Sequence, residues 1–457
     1  DDDNDDDDDD DDDDEPSGYR FTASFPPLPG ATAQERRLVK WRCIGAVLGA
    51  VVGDAAATSV QWVYDPEKLQ QLAETQRQRG FRGLDFMDPP ANEHFEYEVG
   101  RNSPYGEQAL LLLEALAKDK RLDTFSYARR FAAAFGGDWH VRCKGYRDAS
   151  CKGFLRNWAL GRRPPESGAD DKQINCVTRL APLLAAFCGG RSGRDAADTD
   201  VDANDSHDDL LHRVVEQTTR VTQNNKEAVA WATLGTYVLD PVMCSGVHPH
   251  DALPRALARV EQQMQRAASA EEDCAADLLY MVGGHMYQPW RWSRWAGVKE
   301  TVDELGRNCH TPNSYQTPVH AVLFHLGHGP GALLQGTTDH AGKRGDPLHG
   351  HESFSALART CQDVFVATVR AAMRQGGCCA SRCGVVGALL GAFLAGILAS
   401  AHAHGTGDDE QDGCDRGGWE AVVRLGGEHR GKHQRKEGTK DEEAALAFIP
   451  REWRDKT

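Results

Sequence analysis

Three things are scarce in this 457-residue chain, and each scarcity removes a class of protein. No segment alternates apolar and polar residues over a useful strand length, so a sandwich or a barrel is not expected. No two cysteines stand in the C-x-x-C spacing of a zinc site, and thirteen cysteines are too few for a disulfide scaffold. Most of them therefore read as reduced, buried thiols acting as small hydrophobes, which points to a cytoplasmic protein. Positive charge is also outnumbered, with 52 Lys and Arg against 69 Asp and Glu, so a nucleic-acid partner is not expected.

The acidic excess is concentrated. Fourteen of the first fifteen residues are Asp or Glu, and removing them from the net charge of −17 leaves −3, an ordinary value. Such a run repels itself and buries nothing, so residues 1–34 read as a disordered acidic tail and a Pro/Gly-rich linker. The chain begins on Asp1 without an initiator Met, as a fragment or a processed chain would, so the lack of a targeting signal carries little weight.

What the sequence does have is glycine at helical spacing. Gly45, Gly49 and Gly53 recur every fourth residue in Ile44 to Ala57, and Gly384, Gly387, Gly391 and Gly396 recur in the uncharged run that ends near Ala401. Small residues three and four apart share one helix face and let another backbone approach. The two stripes are expected to pack against each other. The later run is long enough to span a membrane, but it is Gly- and Ala-rich, lacks the usual flanking anchors and exits on His402 and His404, so a buried helix is expected and no membrane partner.

Other helices have readable starts. Ser103-Pro104 pairs an N-cap with a Pro at the first helical position, and Glu107 falls in the first turn, where the helix dipole favours it. Phe125 to Phe135 and Ala149 to Leu160, the latter capped by Asp148, read as helices. Asn224 with Glu227 reads as a capping box opening a helix to Leu239. Leu357, Cys361, Phe365 and Val369 mark one face of another. The class is all-α: a compact, single-domain, multi-helix bundle over residues 35–402, with an exposed acidic insertion at about 189–209. A charged, flexible tail follows at 403–440, and then a C-terminal segment at 441–457.

The fragments GAVLGAVVGDAAA, SVQWVYD, NSPYGEQA, GYRDASCKGF, DDKQINCVTRLAPL, TQNNKEAVA, CHTPNSYQTPVHAVL, GGCCASR and IPREWRDKT, in that order, resemble the ADP-ribosylglycohydrolase family, and within it the branch of selenoprotein J and the jellyfish J-type crystallins. The resemblance spans roughly Glu35 to Ala401 and implies the same helical fold. It also implies a site where active members hold two Mg²⁺ between two acidic motifs and cleave the glycosidic bond to ADP-ribose. The place of the first motif, Thr-Asp-Asp-Thr, is taken here by Tyr105-Gly106-Glu107-Gln108. That of the second, Gly-Gly-Asp-Thr-Asp-Thr, is taken by Gly376-Gly377-Cys378-Cys379-Ala380-Ser381. Gln61 stands where some members have a catalytic Glu, and Asp54 keeps the aspartate of the Gly-Asp-Ala signature.

Mg²⁺ demands hard oxygen ligands, and thiol and methyl groups are poor substitutes. No resident metal or other cofactor is expected, and hydrolysis by the family's route is not expected either. A pocket at the junction of helix N-termini would suit an ADP-ribose-like or other nucleotide-derived ligand. Its candidate contacts are Asp54, Gln61, Trp62, Tyr105, Gln108 and Ser381, with Trp62, Tyr64 and Tyr105 either stacking a ring or simply packing the core. Glu107, Cys378 and Cys379 are the candidate reactive groups, the thiols because a helix N-terminus and Arg382 favour thiolate. Three functions follow: a ligand-binding or thiol-active protein with a degenerate metal site, an active hydrolase with an altered metal, or a crystallin-like structural protein. A cleft filled by Trp62 and Tyr105 would favour the last.

Overall fold

The computed structural model describes residues 20–24, 32–94, 98–137, 146–188, 207–268, 274–334, 351–405 and 440–457. Thr32 starts the first long helix, α1 (Ala33–Thr58), with a capping box in which its hydroxyl accepts from the Glu35 amide and the Glu35 carboxylate accepts from the Thr32 amide. There follow α2 (Pro66–Gln78), α3 (Pro104–Asp119), α4 (Thr124–Gly136), α5 (Ala149–Ala159), α6 (Asn175–Thr178), α7 (Leu180–Cys188), α8 (His207–Thr222) and α9 (Lys226–Ser245). Then come α10 (Pro249–Ala268), α11 (Cys274–Gly284), α12 (Tyr287–Trp292), α13 (Val298–Leu305), α14 (Asn313–Gly327), α15 (Phe354–Met373), α16 (Cys379–Gly405), α17 (Lys440–Ala445) and α18 (Arg451–Arg454). The described β-structure is slight: a two-residue antiparallel pair, Thr22–Ala23 with Leu122–Asp123, and two isolated bridges. The fold is all-α.

The centre is the antiparallel pair of α1 and α16. A Cβ placed on Gly49 would lie 2.2 Å from the Gly387 carbonyl oxygen, and one on Gly45 would lie 2.3 Å from that of Gly391. The backbones therefore touch where side chains normally keep helices 8–10 Å apart. The expected seam is present, with one change of detail. Gly53 faces the Cys383 carbonyl, while Gly384 has room for a Cβ and Gly396 packs on Arg42, so neither of those two belongs to the tightest contact.

Around this pair α14 and α15 pack on α16, and α7 and α9 pack on α1. Residues 379–403 have the length and composition of a membrane span, yet 89% of their most apolar window is buried inside the protein. The C-terminal residues close the far side, where the Trp453 ring meets Phe86 and Phe365 edge-on.

Several local expectations change. Asn225, not Asn224, caps α9, accepting from the Ala228 amide, so Glu227 lies too early to close a capping box. That helix also continues past Leu239 to Ser245 despite Pro241. The missing proline N–H is tolerated because surrounding packing holds the turn. The acidic tail and most of the linker (1–19 and 25–31), most of the insertion (189–206) and residues 406–439 lie outside the described residues. Among the described residues eight free cysteines fit the expectation of reduced thiols, but Cys188 and Cys244 are joined by a disulfide.

Replacing Gly49 or Gly387 by Ala should destabilise the protein by about 3 kcal/mol or more, since neither backbone can yield without parting the helices. Gly284→Ala, where a Cβ meets nothing within 4 Å, should be tolerated. Chemical denaturation of the three variants checks this, and equal stabilities would refute the seam.

Candidate functional site

Three chain ends converge beside the seam. The turn after α1 and the turn before α16 hold each other: the Trp62 amide donates to the Gly377 carbonyl at 2.7 Å, and the Gly377 amide to the Val63 carbonyl at 2.9 Å. Both glycines of the Gly376-Gly377 turn have positive φ, and a Cβ on either would strike a carbonyl, of Val63 and of Arg307 respectively. Trp62 itself sits at φ 63°, an uncommon conformation for a large residue and one sustained by this paired geometry. The third end is the start of α3, capped by Ser103.

Asp54, on α1, reaches that third end. Its Oδ1 accepts from the Ser103 amide at 2.6 Å and from Asn102 Nδ2 at 3.0 Å, and its Oδ2 accepts from the Ser103 hydroxyl at 2.5 Å. A Cβ on Gly106 would lie 2.5 Å from Oδ1, so the missing side chain at this position is the space the carboxylate occupies. Burial raises the Asp54 pKa, and its hydrogen bonds only partly offset that. Gln108 belongs to a separate network. Its Nε2 donates to Asp148 Oδ2 at 2.6 Å and its Oε1 accepts from Asn175 Nδ2 at 3.0 Å, with Asp148 capping α5 through the Cys151 amide. Glu107 is half-buried one residue past Gly106.

Cys378, just ahead of α16, is the hub of the opposite wall. Gln61 spans the gap: its Oε1 accepts from the Ala380 amide at 2.7 Å, capping α16, and its Nε2 donates to Cys378 Sγ at 3.4 Å. Ser381 Oγ lies 2.9 Å from the same sulfur, and the Cys309 thiol packs against it. Burial pushes the Cys378 thiol up, but bonds from Cys309, Ser381 and Gln61 reverse this and hold it below the ordinary thiol value. Cys309 moves the other way, through its bond to Cys378 and then through burial. Cys379 is not the activated thiol expected of it. It is fully buried, its sulfur turns to the Ala57 carbonyl, and desolvation pushes it up to about 12.

Arg382 is also buried. Its guanidinium donates to Thr317 Oγ1 and to the Ala372 and Gly376 carbonyls, with Nη2 unpartnered. Burial lowers its pKa, and the thiols of Cys379, Cys383 and Cys378 oppose the effect. Above Cys378, Trp62 packs 4.4 Å from Tyr146, 5.5 Å from His94 and 6.5 Å from Tyr105, centroid to centroid. Tyr105 is fully buried, while Tyr64 is 46% exposed.

These residues do not fit a pair of Mg²⁺ ions. Asp54 is surrounded by donors, Gly106 and Ala380 offer no side-chain oxygen, and Cys378 offers a soft sulfur. Among the described residues, no three His, Cys, Asp or Glu ligand atoms gather at this junction. Sequence reasoning missed Asn102, Cys309, Tyr146 and His94. The first three lie within fragments already noticed, but nothing in their spacing announces a contact. Arg179, which follows α6, is buried and ties that helix to the residue after α8 by donating to the Asn175 carbonyl and to Gln223 Oε1.

Comparison with known proteins agrees with this architecture. The profile described as ADP-ribosylglycohydrolase matches residues 35–399. Two proteins of Tripedalia cystophora are similar. Crystallin J1A is 24% identical over 291 residues, covering 62% of this chain and 77% of that protein. Crystallin J1B is 27% identical over 219 residues, covering 46% and 61%.

Asp54 yields a prediction about pH. With its pKa raised in the folded state, the native protein holds the proton more tightly than the unfolded chain. Stability is therefore lost as pH climbs from the ordinary carboxylate value through the raised one. Asp54→Asn keeps an oxygen for the Ser103 amide and Asn102, offers its NH2 to the Ser103 oxygen and removes that loss, so its stability relative to wild type should improve as pH rises, measured by urea titrations at pH 5 and pH 8. Asp54→Ala orphans buried donors and should cost about 1–3 kcal/mol at either pH.

Proposed function

We propose that the chain, which belongs to the ADP-ribosylglycohydrolase family, is a non-hydrolytic member with a structural, crystallin-like role and no resident metal. The engagement of Asp54 by three donors carries this reading. Its Oδ1 accepts from two amide-type donors with Gly106 pressed against it and its Oδ2 accepts from a hydroxyl, so the carboxylate can swing toward a cation only by giving up bonds already made. Each abandoned buried donor would cost about 1–3 kcal/mol. The adjoining cleft, bounded by Val47, Val51, Asp54 and Leu110, is mainly apolar and has about 20 Å³ of room, enough for one water and far too little for a nucleotide. Tyr105 is fully buried, edge-on against Trp62, and presents no exposed ring face on which a ligand could stack. Similarity to Crystallin J1A and J1B supports the same reading.

A second reading rests on a separate observation, the lowered Cys378 thiol beneath the partly open wall of Trp62, Tyr64, His94 and Tyr146. It assigns thiol chemistry, or stacking of an ADP-ribose-like ring, to the same junction.

Thermal denaturation with millimolar Mg²⁺ and ADP-ribose, singly and together, separates these readings. The structural role predicts no shift and no release of ADP-ribose from modified peptide, whereas a ligand at a hundredfold excess over its Kd would stabilise by about 2.7 kcal/mol. Stoichiometric Mg²⁺ binding that disappears in Glu107→Gln would overturn the proposal. Timed iodoacetamide labelling with peptide mapping addresses the thiol. If Cys378 is modified ahead of Cys43 and Cys361, thiol chemistry gains support; if all three react alike, that reading is dropped.

A further inference from the structure

Away from the family site, the last residue of α7 and one turn of α9 bring Cys188, Asp240 and Cys244 together. Their ligand atoms all lie within 4.8 Å of one another. The Asp240 Oδ1 atom is 3.6 Å from Cys188 Sγ and 3.3 Å from Cys244 Sγ. In the disulfide neither sulfur carries a proton, so these are approaches of three electron-rich atoms with no hydrogen among them. Asp240 and Cys244 are four apart on α9 and so share a face, and Cys188 is buried.

We propose that, once the Cys188–Cys244 disulfide is reduced, these three residues bind one soft divalent cation of the Zn²⁺ class. A dithiol reductant supplies two electrons and two protons, the S–S bond breaks to two thiols, and the reductant becomes the disulfide. The cation then displaces both thiol protons to solvent and bonds to two thiolates and the Asp240 carboxylate. Geometry supports this assignment. Tetrahedral zinc with Zn–S of about 2.3 Å and Zn–O of about 2.0–2.2 Å has an S···O edge near about 3.6 Å, and the two observed separations lie close to it. The ligand types agree as well, since two thiolates and one carboxylate suit Zn²⁺ and disfavour Mg²⁺. Charge also balances: Arg42, whose Nη1 donates to the Cys244 carbonyl at 3.4 Å, adds one positive charge to the cation's two against three negative ligands. Water would take the fourth position.

Cd²⁺ serves as the probe, added to full-length protein that has been reduced with a phosphine and freed of it without air. One equivalent should produce a thiolate-to-cadmium charge-transfer band, and the same protein left oxidised should produce none. Asp240→Asn should weaken binding by about tenfold or more. In reduced wild type, Cd²⁺ should shield Cys188 and Cys244 from alkylation while leaving Cys309 and Cys378 as they were, a readout that requires no variant to fold. The proposal is overturned if reduced protein gives no band, if the Cys188→Ser/Cys244→Ser double variant keeps it, or if the shielded cysteines are others.

Discussion

The backbone contact between α1 and α16 is the constraint on which the rest of the structure depends. Glycines at 45, 49, 387 and 391 let two carbonyl-bearing surfaces meet without an intervening layer of side chains. Helices this close have little freedom to slide or roll, because any shift drives a Cα into a carbonyl. The ends of the pair are therefore held in register, and the turns at 60–63 and 376–378 can exchange two backbone hydrogen bonds. Every candidate site residue hangs from these turns or from the start of α3, which Asp54 ties to α1. Loss of the seam would disperse the site before it exposed much of the core.

At that junction the buried polar groups are satisfied by hydrogen bonds, as they must be where unpaired buried charges are costly. Asp54 is satisfied by an amide, an asparagine and a serine, and the opposite wall is built from a thiol, a glutamine and a serine. Arg382 sits in the interior with carbonyl and hydroxyl partners and three nearby thiols.

The cysteines show how far environment decides the behaviour of one residue type. Cys43, Cys176, Cys361 and Cys379 are desolvated and pushed up to about 12 or above. Cys378, equally hidden, is lowered by the bonds turned on it. Cys188 and Cys244 have a carboxylate beside them and each other within bonding distance, which suits a disulfide or a soft cation.

The all-α class, the paired glycine stripes, the cap on α5 and the family were legible from the sequence, and for a common reason. Each rests on local periodicity, a capping pattern or motifs in order, all of which are properties of neighbours along the chain. What only the tertiary structure decided was who meets whom. Asn102 and Ser103 close on Asp54, Cys309 reaches Cys378 from a loop some seventy residues away, Cys379 turns from site to core, and Cys188 finds Cys244 across two helices. These pairings cross long stretches of chain, and burial and hydrogen bonding at such contacts set protonation and reactivity. Spacing alone carries no information about either, because the free energies involved belong to the folded interior and not to the residues themselves.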